Sequence, residues 1–98
     1  MSDKRLTIAL DYDDTFTANT RLFSRFIVDA DLANVEIVCI SSRRGTFEAR
    51  RELEAALGPT VKVYFAYDMP KKLYAEKYGI GVDIWIDDNP ASLFERVQ

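Results

Sequence analysis

Four strand-length apolar runs, each leading into a polar segment, restrict the folds open to this chain more than any other feature. They are Leu6 to Leu10, Val35 to Ile40, Val61 to Ala66 and Val82 to Ile86. Short, nearly continuous apolar runs rich in β-branched residues suit strands buried on both faces, as in parallel sheets. The segments between them carry a different period. Leu22, Phe23, Phe26, Ile27 and Ala30 fall at helical spacing with Asn19 or Thr20 as cap, and Ala49, Leu53, Ala56 and Leu57 do so over Phe47 to Leu57. Arg50 and Glu54, four apart, read as the solvated face of that helix, which Gly58-Pro59 ends.

Pro70 to Tyr78 reads as a helix begun by proline and stopped by Gly79, and Pro90 opens a last short helix with Leu93, Phe94 and Val97 as its apolar side. Strands alternating with helices through short connections predict right-handed βαβ units and an α/β fold. The sheet is expected to be parallel and covered on both faces. At 98 residues, with no repeat or linker-like stretch, residues 1–98 form one domain near the lower size limit for a self-sufficient core.

Several function classes drop out on composition. Histidine is absent, which removes the commonest general base and metal ligand. The only cysteine, Cys39, lies within the apolar stretch VEIVCI and reads as a core residue, so neither an internal disulfide nor a multi-cysteine zinc site can form. A net charge of -3 offers no broad attraction to nucleic acid. No apolar run approaches the roughly 18 to 20 residues needed to span a bilayer, and the polar start MSDKR lacks the core of a secretory signal, so a cytoplasmic protein is expected.

In open parallel sheets, ligands bind beyond the carboxyl ends of the strands. Here the first strand delivers Asp11 and Asp13, the second Ser41 and Ser42, and the fourth Asp87 and Asp88. Gathering that many carboxylates is costly unless a cation accompanies them. With oxygen donors only, magnesium is the expected ion, ahead of manganese or calcium. Taken singly, each piece has a plainer reading: a polar turn for Asp11 and Asp13, capping for Asp88 or Asn89, a loop for the serines, surface charge for Lys71 and Lys72. Capping does not account for both aspartates.

The combination resembles the haloacid dehalogenase superfamily over nearly the whole chain. IALDYDDT is similar to that family's DxDxT motif, with Asp11, Asp13 and Thr15 at the matching places; IVCIS matches its second motif at Ser41; Lys71 or Lys72 matches its lysine; and IWIDD matches its final acidic pair at Asp87 and Asp88. The resemblance implies a small Rossmann-like three-layer sandwich with strand order 3-2-1-4. It further implies a magnesium-dependent phosphatase in which Asp11 is the nucleophile and forms an aspartyl-phosphate, and Asp13 is the acid and base. Ser41 and Ser42 would bind phosphate, Lys71 would neutralise charge there, and Asp11, Asp13 and the Asp87/Asp88 pair would hold magnesium, Asp13 through its carbonyl.

Family members often insert a cap domain, for which this sequence has no room, and an open site is therefore expected. Such a site suits a large phosphorylated substrate, such as a nucleic-acid end or a phosphoprotein, or a small molecule in a pocket completed by a second copy of the chain. Arg43 and Arg44 read as solvated loop arginines or as contacts to a substrate phosphate. The alternative from another class is a regulatory module that keeps the fold and metal site without turnover. A phosphorelay receiver fits less well, because its acceptor aspartate follows a middle strand, and those strands here end in Ser41 and Ala66.

Overall fold

The computed structural model describes residues 5–95. Val97, assigned above to the last helix, lies outside them. The strands are β1 (Thr7–Leu10), β2 (Glu36–Ser41), β3 (Lys62–Phe65) and β4 (Ile84–Ile86), and the α-helices are α1 (Thr20–Leu32), α2 (Phe47–Leu57) and α3 (Lys71–Lys77). All pairings are parallel and the order is β3-β2-β1-β4. This is the α/β sandwich expected, with the first strand inside the sheet.

Alternation along the strands distributes the core. Ile8 and Leu10, with Ile37, Cys39 and Val63, face Ile27 and Ala30 of α1 and Leu53 and Leu57 of α2. Ala9, Val38 and Ile40 point the other way and pack with Ala75, Tyr74 and Trp85. Two helices thus cover one face and α3 the other. Leu53, with none of its surface exposed, anchors the larger layer, and truncating such a leucine to alanine costs about 2 to 5 kcal/mol.

The helix boundaries follow local chemistry. Asn19 caps α1 by accepting from Leu22 N–H at 3.0 Å, and Thr46 caps α2 by accepting from Ala49 N–H at 3.1 Å. Gly79, at φ +69°, takes the left-handed turn that ends α3. Two positions depart from the expected apolar stripes: Leu22 and Ala56 are exposed, lying off the seams formed by Phe23, Phe26, Ile27 and Ala30 and by Ala49, Leu53 and Leu57. The final helix is only a 3-10 turn, Pro90–Leu93, with Phe94 66% exposed beyond it. Among the described residues no helix is long and apolar enough to cross a membrane.

Candidate active site

Strand parity decides which polar side chains meet. Asp11 lies two residues after Ala9 and Asp87 two after Trp85, and Ala9 and Trp85 are register partners on the α3 face. The ladder continues one step past the strands, with Asp11 N–H donating to Ile86 O at 2.9 Å. The two carboxylates therefore reach the same side of the sheet, where α3 begins. Its first residue, Lys71, is 2% exposed and donates from Nζ to Asp11 Oδ1 at 2.8 Å and to Asp87 Oδ2 at 2.7 Å. Lys72, one position on, turns outward over the Phe94 ring at 5.4 Å. Of the two candidate lysines, Lys71 is the one at the acids.

Thr15 ties the loop after β1 to the loop after β4. Its hydroxyl accepts from Asp88 N–H at 3.0 Å and lies 3.0 Å from Asp88 Oδ1 and 3.2 Å from Asp11 Oδ2, so its single proton serves one carboxylate at a time. Asp87 is held further by Asn89 N–H at 2.9 Å and the Ser92 hydroxyl at 3.0 Å. With these donors the carboxylates of Asp11, Asp87 and Asp88 present oxygens within 4.8 Å of one another. Three hard anionic oxygens at that spacing fit a small divalent cation such as magnesium.

Burial sets the charge balance of the cluster. It pushes the Asp11 carboxyl up to about 6, against the pull of the Lys71 ammonium and with further upward pressure from Asp87 and Asp88. Burial alone would lower Lys71, but its hydrogen bonds to Asp11 and Asp87 outweigh that and raise it. Lys71 stays charged and shared between two acids. Cys39, beneath the site, is pushed up to about 12 by burial, which makes it a poor nucleophile or ligand.

The remaining candidates are arranged differently. Asp13 lies outside the three-carboxylate set: its carboxylate accepts from Arg43 Nε and Nη2, both at 2.8 Å. Ser41 is buried on the opposite side of the sheet from Asp11, as parity with Cys39 requires, and its hydroxyl accepts from Arg43 N–H at 3.0 Å. Ser42 instead lines a cavity of about 160 Å³ together with Asp11, Asp13, Asp14, Lys71, Asp87, Asp88, Asn89 and Ser92.

Comparison with protein-family models, curated proteins and solved structures found no match to this chain. The site must be read from its own geometry. The sequence left Ser92 and Thr15 without a role and Arg43 without its partner. Ser92 carries no signal beyond being a hydroxyl one turn after the acids, whereas Thr15 was visible at its place in DYDDT and lacked only a partner. Arg43 pairs with a residue 30 positions away, a contact that only the fold creates. No cap stands between β1 and α1, where a single 3-10 turn, Phe16–Ala18, leads into the helix.

Proposed function

We propose that this chain is a magnesium-dependent phosphomonoesterase of the haloacid dehalogenase type, acting in the cytoplasm. The observation that carries the reading is the buried Lys71 ammonium between Asp11 and Asp87 at the carboxyl ends of adjacent parallel strands, with Asp88 beside them. A cavity that pairs a fixed cation with carboxylates suits phosphoryl transfer, which needs positioning and charge neutralisation above all.

Asp11, Asp87 and Asp88 would hold the magnesium, which would neutralise charge on the phosphoryl oxygens. Asp11 Oδ attacks phosphorus; the ester P–O bond breaks and the leaving oxygen takes a proton from Asp13. Water then attacks the aspartyl-phosphate, gives a proton back to Asp13 and releases phosphate, restoring Asp11. Lys71 and the Ser42 loop orient the phosphoryl group. The small, uncapped cavity favours a phosphate at the end of a larger substrate, or a small ester covered by a second copy of the chain.

One observation favours a second reading. Both oxygens of Asp13 accept from Arg43, an ion pair between the proposed acid and base and a neighbouring loop that also suits a module that binds metal without turnover. Hydrolysis of an aryl phosphate separates the two. Turnover should require magnesium and vanish in Asp11→Asn; activity that persists in that variant removes Asp11 as nucleophile, and no activity in the wild type favours the silent module.

A further inference from the structure

The Arg43 side chain divides its donors in a way that suggests movement. Nε and Nη2 grip Asp13 at 2.8 Å each, while Nη1 holds Glu52 of α2 at 3.1 Å, and the guanidinium lies 5.3 Å from the Tyr12 ring centroid. Glu52 and Tyr12 support the guanidinium independently of Asp13. Asp13 and Ser42, the residue before Arg43, both line the cavity, so Arg43 stands one side chain away from any group that enters it. Its backbone is held as well, through N–H to Ser41 Oγ at 3.0 Å.

Resting on the phosphatase reading above, we propose that Arg43 is a phosphate-displaced latch: its guanidinium, which clasps Asp13, passes to the phosphoryl oxygens of a bound phosphomonoester and so releases the Asp13 carboxylate. A guanidinium fork matches phosphate as well as it matches carboxylate, and a dianionic phosphate competes for it by charge. While Arg43 holds Asp13, each carboxylate oxygen of Asp13 accepts one bond from the guanidinium, and Arg43 has only Nη1 turned elsewhere. The exchange ties release of that carboxylate to occupancy of the cavity, which partly replaces the missing cap. Arg43 is in this sense a positioning residue for Asp13 and a recognition residue for phosphate.

The test is the Arg43 Nε–H signal in nitrogen-resolved magnetic resonance of the wild-type chain with magnesium, titrated with inorganic phosphate. The latch predicts that this signal shifts together with those of the Ser42 loop. In kinetics on aryl phosphates, Arg43→Gln should raise KM on the order of tenfold with kcat held within about twofold, and Arg43→Lys should recover part of the loss. A static brace gives the opposite split, with kcat lowered and KM unchanged. That result, or an Nε signal that stays put while the Ser42 loop responds, overturns the latch and leaves the phosphatase reading standing. Absence of any phosphate response together with absence of hydrolysis overturns both.

Discussion

Replacing Lys71 by methionine keeps a stem of similar length and removes the ammonium that lies between Asp11 and Asp87. That ammonium is 2% exposed and sits 2.8 Å and 2.7 Å from the two carboxylates. At an effective dielectric of about 20, a pair of unit charges about 4 Å apart attracts by about 4 kcal/mol, so two pairs provide about 8 kcal/mol before desolvation. Burying the ammonium takes back several kcal/mol, and removing one partner of a buried ion pair costs about 3 to 5 kcal/mol net. For a domain whose whole stability is about 5 to 15 kcal/mol, that is a large share. Urea unfolding in magnesium-free buffer at neutral pH should show it as a midpoint lowered by about 2 M. Magnesium should then restore stability, by about 2.7 kcal/mol at a hundred times the dissociation constant, and at one fixed magnesium concentration should restore more in the variant than in the wild type, because the variant binds it more tightly. The variant cluster carries three formal negative charges with no internal cation. Lys72→Met, which removes an exposed ammonium over Phe94, should change stability by no more than about 0.5 kcal/mol. A loss below about 1 kcal/mol for Lys71→Met, or an equal magnesium response in both proteins, would refute the electrostatic argument.

Ionisation of Asp11 should oppose folding, because its carboxyl is raised to about 6 in the folded protein against 3.8 ordinarily. Its contribution is most favourable below pH 3.8, declines as pH rises through 6 by at most about 3 kcal/mol, and is flat above. Unfolding curves of wild type and Asp11→Asn between pH 4 and 7.5 without magnesium isolate this decline, and a difference between them independent of pH would count against it. On the proposed magnesium site, saturating magnesium should favour the ionised carboxylate and abolish the decline. Thr15→Val should weaken magnesium binding by about tenfold in calorimetry, because Asp88 loses the hydroxyl that orients it. Unchanged affinity would show that Thr15 only shapes the loop. Gly45→Ala should cost about 1 to 2 kcal/mol by thermal or urea unfolding, since its new Cβ would meet the Phe65 side chain at 3.1 to 3.2 Å.

The sheet was legible in the sequence because apolar runs and strands share one physical cause, burial on two faces. Their ends were less so. β4 shrinks to Ile84–Ile86 because the Asp83 side chain accepts from Thr7 N–H at 2.9 Å, taking the place of the next ladder acceptor. The acids of the site were legible by type and place, since Asp11, Asp87 and Asp88 directly follow strands. Which of two neighbours faces the cavity was not. Lys71 and Lys72 differ by about 100° around α3, and the sequence does not reveal how that helix is rotated on the sheet. Ser41 and Ser42 differ by the side of the sheet they take, and the β2 apolar run alone does not say which side Asp11 shares. Composition likewise gave no hint that Arg43 would reach Asp13 rather than solvent.

The site is a consequence of sheet register more than of loop design. Ala9 pairs with Trp85, so two residues on, Asp11 comes alongside Asp87, and the helix that follows β3 must begin with its buried lysine on that same face. A one-residue slip of β4 against β1 would send Asp87 to the α1 side and leave Lys71 with one carboxylate. β4 is the shortest strand and lies at the sheet edge, with Ile84 44% exposed, so its own packing fixes that register weakly. The polar contacts compensate. Thr15 joins Asp88 to the β1 loop, Ser92 and Lys71 hold Asp87, and Asp11 N–H extends the ladder to Ile86. The same hydrogen bonds that shape the acidic cluster are therefore those that seat the edge strand. Chemistry and fold cannot be varied independently at this edge, and a cation bound by Asp11, Asp87 and Asp88 would reinforce the β1–β4 pairing on which its own site depends.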